Sequence, residues 1–432
     1  MTSRYPLPEL LAPAGSMERL QAAVLYGADA VYLGGRDELN LRHGALGFNW
    51  DELDLALAVT REAGVKLYYC INAFPRQTGY RQVEESLERL AGLAVDGLIV
   101  ADPGVFRLAR EKAPHLDIHV STQANTASGQ AALFWHEQGA ARVNLARELN
   151  AREMRETLDF MRERAPGLES EVFVHGAMCL AVSGQCLLSA WLNQRPGNLG
   201  QCTHPCRFEY RVMDARDMPP SFFVEESLRR GDALWEISKD EQGFSAFFSP
   251  QDLCLVRYLA WFWKRGVSAL KIEGRMRTAP MVAQMVNVYR TALNDLRAGN
   301  FRPATYECEL APLASRALGS GFFLPGGKRK IFSDPRRRAG DGPVVARLER
   351  ELEPGVWLVQ VKAPWKRENG AQVLLPGLKS VELNALTYCF ENHRGETVEL
   401  LHPGTEAKLF LPESFDAGVS RIGPGMFIRV VC

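Results

Sequence analysis

Four of the nine cysteines lie in one stretch, FVHGAMCLAVSGQCLLSAWLNQRPGNLGQCTHPCR, between residues 173 and 207. They are Cys179, Cys186, Cys202 and Cys206, with the spacing C-x6-C-x15-C-x3-C. Four thiolates can hold a tetrahedral zinc ion or an iron–sulfur cluster. Only one pair is as close as the paired cysteines of zinc hairpins, so the spacing favours a cluster. Zinc, or thiols that bind no metal, remain the alternatives. Cys254, which the pattern places at the start of a helix, is an alternative ligand.

Polar side chains follow several short apolar runs, where they can meet at one end of a sheet. They are Asn72, Gln123, Asn125, Arg147, Glu148, His175, Glu273 and Arg275, and Arg42 lies in the loop LNLRHG. Several arginines converging on one place indicate an anionic ligand, because a guanidinium matches carboxylate and phosphate geometry. The alternative is a structural layer of ion pairs.

His175 precedes Cys179 by four residues, so a Cys/His nucleophilic pair is conceivable. The three further cysteines argue for ligation of Cys179 instead. A ligand contact from His175, or a buried structural histidine, are then the two remaining interpretations. The sequence contains neither HExxH nor GxSxG, so no motif supports a hydrolytic zinc site or a serine nucleophile.

The segment KRKIFSDPRRR is the strongest local run of positive charge. Its basic residues are Lys328, Arg329, Lys330, Arg336, Arg337 and Arg338. Such a run is either a solvated loop or a contact to a phosphate backbone. The chain has 51 Lys and Arg against 51 Asp and Glu, which excludes a globally basic nucleic-acid binder but not a local basic patch.

Short apolar runs alternate with helical patterns over the first three hundred residues. The predicted strands are Glu9–Pro13, Ala30–Gly34, Lys66–Asn72, Gly97–Asp102, Ile118–Gln123, Arg142–Arg147, Glu171–Gly176 and Ala269–Glu273. Eight strand–helix units favour an α/β fold of the (β/α)8, TIM-like barrel class. A doubly wound open sheet is the alternative, but no Gly-rich dinucleotide turn follows the first strand.

Three regions follow from this pattern. Residues 1–300 form the predicted barrel domain, and a long insertion at about 177–265 separates strands 7 and 8. The insertion begins with the cysteines and would lie on the carboxyl face of the barrel, where active sites are built. Frequent Pro and Gly with short alternating runs predict a small β-rich C-terminal domain at 301–432.

The N-terminus lacks a secretory profile, and no apolar run is long enough to span a bilayer. We therefore expect a cytoplasmic protein without membrane contact. In a reducing compartment, grouped cysteines more often bind metal or do redox chemistry than form disulfides.

Several segments resemble the collagenase-like peptidase family U32. They are ELLAPAGSMERLQAAVLYGADAVYLGG, STQAN, ARVNLARELN, EVFVHGAMCLAVSGQCLLS, QCTHPCR, SPQDL and SALKIEGR. The continuation QCTHPCRFEY is most similar to members that hydroxylate tRNA uridine with prephenate. Other members hydroxylate ubiquinone precursors or modify ribosomal RNA. The peptidase name reflects an older activity assignment.

The resemblance implies a 4Fe-4S cluster on Cys179, Cys186, Cys202 and Cys206, and hydroxylation without molecular oxygen. On this basis the expected partners are tRNA and a small carboxylate co-substrate, prephenate. The expected binding residues for its carboxylates are Arg42, Gln123, Asn125, Arg147 and Arg275. His175, Glu148 and Glu273 are the expected catalytic residues, and Lys328 to Arg338 with the β-rich domain would contact the RNA.

Two rival hypotheses remain. A zinc- or cysteine-dependent peptidase would use the same cysteines for hydrolysis. A non-catalytic RNA-binding or scaffold protein would use them only to fasten the long insertion.

Overall fold

The computed structural model describes most of the barrel, parts of the insertion and most of the C-terminal region. The described residues are 3–36, 39, 47–179, 181–182, 185–193, 202, 205–207, 209–211, 222–225, 234–237, 244–246, 251–314, 316–324, 344–383, 388–411 and 422–430. Within these ranges no helix has both the length and the apolar character needed to cross a membrane.

Seven parallel strands with intervening helices form the first part of the chain. The strands are β1 (Glu9–Pro13), β2 (Ala30–Leu33), β3 (Lys66–Ile71), β4 (Gly97–Val100), β5 (Asp117–Val120), β6 (Arg142–Asn144) and β7 (Glu169–Gly176). The helices are α1 (Met17–Leu25), α2 (Trp50–Glu62), α3 (Tyr80–Ala91), α4 (Pro103–Lys112), α5 (Gly129–Glu137) and α6 (Ala151–Arg164). Each strand pairs in parallel with the next along the chain.

The helix starts are encoded locally by side chains that cap free backbone N–H groups. Asn49 and Asn150 form reciprocal capping boxes with Glu52 and Glu153. Ser16 caps α1 in the simpler one-way manner. These caps fix where each helix begins, and therefore how long each loop at the barrel mouth is.

The insertion leaves the barrel after β7 and returns beside it. Its described elements are α7 (Leu188–Asn193) and the strands β8 (Glu209–Arg211), β9 (Phe222–Glu225), β10 (Leu234–Ile237), β11 (Phe244–Ala246) and β12 (Asp252–Cys254). Strand β12 runs antiparallel to β7, with Leu253 opposite Gly176 and Cys254 opposite His175. Both ends of the insertion are thus hydrogen-bonded to each other at the edge of the barrel.

The eighth barrel strand closes the sheet. After α8 (Leu259–Arg265), strand β13 (Ala269–Ile272) pairs in parallel with both β7 and β1. The closed parallel barrel confirms the predicted (β/α)8 fold, and the open-sheet alternative is wrong. Cys254 ends a short strand, whereas the sequence pattern predicted that it begins a helix; α8 starts only at Leu259.

Two further helices follow the barrel and are packed on it. They are α9 (Ala279–Ala298), which Thr278 caps, and α10 (Pro303–Leu310). Strand β14 (Leu318–Gly319) then pairs with β12. Tyr306, Leu310 and Phe323 are buried in the same hydrophobic core as the barrel helices.

The C-terminal region is an antiparallel β structure, as predicted. Its strands are β15 (Val344–Glu353), β16 (Val356–Val361), β17 (Trp365–Lys366), β18 (Ala371–Leu375), β19 (Lys379–Leu383), β20 (Cys389–Glu391), β21 (Leu400–Leu401), β22 (Glu406–Phe410) and β23 (Phe427–Val430). Seven of them form one sheet in the order β19-β18-β23-β15-β16-β22-β20. This sheet has its own core around Trp365, Phe390 and Leu409.

Buried polar contacts attach the C-terminal sheet to the barrel. The Asn287 side chain on α9 donates to the Leu375 carbonyl and accepts from the Gly377 N–H, at 2.9 and 2.8 Å. The Tyr26 hydroxyl on α1 donates to the Leu374 carbonyl at 2.9 Å. Because these groups are withdrawn from water and satisfied by each other, the two parts dock in one defined orientation.

Candidate functional site

The carboxyl ends of β3 and β5 bring Asn72 to the predicted binding residue Gln123. Asn72 donates from Nδ2 to Gln123 Oε1 at 3.0 Å, and the same oxygen contacts the Ser121 hydroxyl. Asn125 follows at φ 52° and ψ 50°, in the left-handed region that Asn tolerates better than most residues. These amides therefore lie on one side of the barrel mouth, in a locally constrained loop.

Two arginines lie on the other side of the mouth, each against an aromatic ring. Arg147 donates to the Ala177 carbonyl at 2.9 Å, and its guanidinium is 4.9 Å from the ring centre of Phe173. The Arg275 guanidinium is 5.9 Å from the ring centre of Tyr32, and Arg275 is 8% exposed. The convergence of these arginines on one anionic ligand stays a prediction.

Glu273 is fixed at the start of the cysteine segment. Its backbone N–H donates to the His175 carbonyl at 2.9 Å, and its Oε2 accepts from the Ala177 N–H at 3.3 Å. The Glu273 carboxylate therefore contacts the backbone at Ala177, two residues before Cys179. Glu148 lies in the loop after β6, where it is partly exposed.

Gly176 permits the close approach of Glu273 to the end of β7. Replacing Gly176 tests whether that approach needs a glycine. We expect Gly176→Ala to lower the free energy of unfolding by roughly 1–3 kcal/mol, because φ is +118° and a Cβ would lie 2.6 Å from the Glu273 Cβ. Urea unfolding, monitored by circular dichroism, measures this loss in the free energy of unfolding. Gly64→Ala is the control, since Gly64 also has a positive φ (+66°) but nothing lies within 4 Å. Equal losses in the two variants would contradict the steric role.

His175 faces the helix layer. It pairs with Ile272, after a register shift in the β7–β13 ladder, and Ile272 belongs to the core between sheet and helices. The His175 Nδ1 is 3.3 Å from the Tyr289 hydroxyl on α9, which also donates to the Val174 carbonyl at 2.9 Å. Burial lowers the pKa of His175 to about 4, an effect that Asp252 opposes and Arg277 reinforces. The ring is therefore neutral at neutral pH.

This lowered pKa gives an expected pH dependence. In the unfolded chain the ring binds a proton near pH 6.5, in the folded protein only near pH 4. Between these values the unfolded chain binds more protons, so the free energy of unfolding falls as the pH falls. From pH 7 to pH 5 we expect His175 to account for a loss of roughly 2 kcal/mol. Urea unfolding of His175→Gln should show a correspondingly flatter pH profile; a profile parallel to that of the wild type would contradict it.

A buried carboxylate fastens the return of the insertion, and sequence reasoning did not single it out. Asp252 on β12 is 3% exposed and forms ion pairs with Arg277 at 3.4 Å and Arg316 at 3.7 Å. Its signal in the sequence was the SPQDL segment, whose Asp follows a turn-forming Ser-Pro. The two arginines tie β12 to the segment after β13 and to the segment before β14.

The barrel interior contains a charged layer that was also missed as a functional element. Lys271 Nζ is 2.7 Å from Glu171 Oε1, which also accepts from Asn144 Nδ2 at 2.6 Å. Burial opposes ionisation of Glu171, yet the charges of Lys271 and Arg142 lower its pKa. The alternating charges of LKIEGR were the sequence signal for this charged layer, because alternate residues of a barrel strand face inward.

Arg142 completes this layer toward the amino end of the barrel. It is 2% exposed and pairs with Glu9 at 2.6 Å and Glu169 at 2.5 Å. Burial alone would lower its pKa, but the hydrogen bond to Glu9 and the charge of Glu171 raise it. Carboxylates thus gather at the amino end of the barrel, whereas Arg147 and Arg275 lie at the mouth.

The four cysteines match a metal centre in donor type. None forms a disulfide, and all four are partly exposed. Helix α7 begins two residues after Cys186 and lies beside the turn Pro205–Arg207 that contains Cys206. Among the described residues, however, no three His, Cys, Asp or Glu side chains adopt a metal-binding arrangement. The segment is thus folded back on itself between α7 and this turn.

Two predicted elements lie outside the described residues. They are Arg42 and the basic run with Lys328, Arg329, Lys330, Arg336, Arg337 and Arg338. Their proposed roles stay predictions.

Comparison with known proteins gives a consistent set of similarities. Residues 15–331 match the model of Peptidase family U32. The chain is 34% identical over 344 residues to tRNA hydroxylation protein P of Escherichia coli, covering 73% of this chain and 74% of that protein. It is 35% identical over 336 residues to tRNA hydroxylation protein P1 of Bacillus subtilis, covering 77% and 75%.

A relative with a different name is also similar. A protein named collagenase from Porphyromonas gingivalis is 29% identical over 328 residues, covering 73% of each chain.

Proposed function

Because this chain belongs to peptidase family U32, with relatives named tRNA hydroxylation protein at 34% and 35% identity, we propose that it is a tRNA hydroxylase. The proposed reaction converts the wobble uridine to 5-hydroxyuridine without molecular oxygen. Prephenate is the proposed co-substrate.

The observation that carries the proposal is the polar mouth of the barrel beside the cysteine segment. Arg147 donates to the Ala177 carbonyl and Glu273 accepts from the Ala177 N–H, so both are tied to the chain two residues before Cys179. A binding group and a proton-transfer group are thereby held at the entrance to the segment. Reactions of TIM-like barrels take place on this face.

Prephenate suits the mouth because it carries two carboxylates. Arg147 and Arg275 would each bind one of them, since guanidinium forms paired hydrogen bonds to carboxylate. Their aromatic neighbours Phe173 and Tyr32 restrict where the guanidinium planes lie, at 4.9 and 5.9 Å from the ring centres. Gln123 and Asn125 would contact the remaining oxygens, and Arg42 is the proposed further cation.

Cys179, Cys186, Cys202 and Cys206 would hold a 4Fe-4S cluster, the group that matches four thiolate donors. When bound, such a cluster supplies one-electron redox chemistry at the mouth. Glu273 and Glu148 are the proposed proton carriers. The His175 ring contacts Tyr289, and it would act by fixing the end of β7 from which the segment starts.

The tRNA would be held by its phosphates. The proposed contacts are Lys328, Arg329, Lys330, Arg336, Arg337 and Arg338, together with the C-terminal sheet. Phosphate contacts of this kind weaken steeply with salt.

Nucleoside analysis of tRNA tests the proposal. A strain lacking the gene should lose 5-hydroxyuridine and its derivatives, and a plasmid copy of the wild type should restore them. A plasmid copy of Arg275→Met should restore less than a tenth, whereas Arg107→Met, on the exposed face of α4, should restore fully. An unchanged nucleoside profile in the deletion strain would overturn the tRNA substrate.

The name of the Porphyromonas gingivalis relative makes peptidase activity the second candidate. In the described part of the chain the His175 ring contacts Tyr289, which does not favour a Cys179–His175 nucleophilic pair. Turnover of denatured collagen by the purified protein, lost in Cys179→Ala and retained after iron removal, would support the peptidase instead.

A further inference from the structure

Lys271 is a buried cation, and within the described ranges only some of its N–H donors have an oxygen acceptor. It is 4% exposed, and its Nζ lies 2.7 Å from Glu171 Oε1, 4.5 Å from the Tyr32 ring centre and 5.5 Å from the Phe173 ring centre. An ammonium has three N–H donors. Within the described ranges, one of them has an oxygen acceptor, on Glu171, and the other contacts are to the two rings.

A neighbouring acceptor is also unfilled. Asn144 Oδ1 is buried, and within the part of the chain that the structure describes it has no hydrogen-bond partner. Glu171 Oε2 accepts no hydrogen bond there, but it is paired with the Arg142 guanidinium at 3.6 Å. An orphaned buried acceptor costs about 1–3 kcal/mol. Unused donors of Lys271 and the unused acceptor of Asn144 therefore both border Glu171, which is the arrangement expected around a bound polar molecule.

Phe173 borders this layer beside Lys271. Phe173 faces the barrel interior with Lys271, yet its side chain is partly exposed. The ring of Phe173 also contacts Arg147, and the ring of Tyr32 also contacts Arg275. Three cations thus surround two aromatic rings just below the entrance, while the carboxylates of Glu9 and Glu169 pair with Arg142 at the opposite end.

A buried ion pair adds little net stability compared with apolar residues of the same volume. The Lys271–Glu171 pair therefore calls for a role other than stability. We propose that Lys271 is a binding residue whose ammonium donates a hydrogen bond to an oxygen of the small acid. This inference rests on the proposed function and extends it.

The ligand class follows from the groups around Lys271. Arg147 and Arg275 take the carboxylates, the rings of Tyr32 and Phe173 contact an unsaturated ring, and Lys271 takes a keto or hydroxyl oxygen. The expected ligand is a small unsaturated cyclic acid with one or two carboxylates and a further oxygen. Glu171 orients the ammonium by its hydrogen bond of 2.7 Å.

Calorimetric titration of the full chain tests the proposal with two acids, prephenate and the stable aromatic keto acid phenylpyruvate. We expect the double variant Lys271→Met/Glu171→Gln to raise the Kd at least tenfold for an acid that the wild type binds. Replacing both partners leaves no buried unpaired charge, so the fold should persist. Glu171→Gln alone keeps the ammonium and should raise the Kd less than threefold.

The matched control is an exposed pair of the same geometry. Lys112 and Glu88 also lie 2.7 Å apart, on the outer helices. Lys112→Met/Glu88→Gln should bind both acids as the wild type does.

The possible outcomes distinguish a failure of the Lys271 proposal from a failure of the proposed function. Unchanged binding in the Lys271 double variant would overturn the role of Lys271 alone. If the wild type bound phenylpyruvate but not prephenate, prephenate would be overturned as the co-substrate. The Kd of the double variant for phenylpyruvate would still test the role of Lys271. A wild type that binds neither acid would overturn both.

A second measurement covers the case in which the double variant does not fold. Reductive methylation of Lys271 in the wild type, followed by mass spectrometry, should slow at least fivefold when phenylpyruvate or prephenate saturates the protein. An unchanged methylation rate with a bound acid would overturn the proposal.

Discussion

Cys186→Ser is expected to leave the anaerobically purified protein without the broad visible absorption of an iron–sulfur cluster. The tRNA of a deletion strain carrying this variant should lack 5-hydroxyuridine. The physical reason is that a cubane cluster needs thiolate ligands, and serine is a poor substitute. Cys186 lies just before helix α7, which is next to the turn that contains Cys206, so the proposed ligand at Cys186 is lost from the part of the segment that folds back on itself. Iron and sulfide per chain, with the absorption spectrum, measure the effect.

Cys308→Ser is the matched control. Cys308 is exposed on α10, outside the segment that carries the four grouped cysteines, and its replacement should keep both the spectrum and the modified nucleoside. An iron content in Cys186→Ser equal to that of the wild type would contradict the ligand assignment. A colourless wild type with bound zinc would contradict the cluster itself.

Among the single substitutions proposed above and below, Arg142→Met is expected to lower the free energy of unfolding the most. It removes the guanidinium that pairs with the partly buried Glu9 at 2.6 Å and the buried Glu171 at 3.6 Å. Lys66 and Lys271 then remain as their only lysine partners among the described residues. Breaking a buried pair on one side costs about 3–5 kcal/mol, because an uncompensated charge stays in a low-dielectric interior. The midpoint of urea unfolding, with an unchanged slope, measures the loss.

Arg152→Met is the control for Arg142→Met. Arg152 pairs with Glu156 on the outside of α6, where its side chain is 79% exposed. Water replaces such a pair readily, so the midpoint should not move. If both variants unfolded at the wild-type midpoint, the charged layer would not support the barrel.

The barrel was predictable because its strands have a simple signature. Strands buried on both faces are short apolar runs, and AVYLG or GLIVAD are clearly separated from the amphipathic helices that follow. Strand β12 was missed because three residues carry no measurable periodicity, and its pairing with β7 depends on residues far away in the sequence.

The site was only partly predictable. Arg147, Arg275 and Glu273 were found because they follow strands at the carboxyl face. The orientation of His175 was not predictable, because strict alternation places it on the same face as Phe173. The irregular pairing of β7 with β13 turns His175 to the side of Ile272 instead. Contacts such as Lys271 with Glu171 join strands a hundred residues apart, and single-strand patterns do not encode them.

The insertion also has a consequence for how the chain is made. During synthesis, strands β1 to β7 leave the ribosome before residues 177 to 268, and only then does β13 arrive to pair with β7 and β1. At typical elongation rates the delay is roughly 5 to 20 seconds. Throughout this time the nascent chain carries an unclosed sheet with two bare edges, which are the features that promote association between chains. The early return of β12 onto β7 covers only the end of one of these edges, at His175 and Gly176, before the barrel closes.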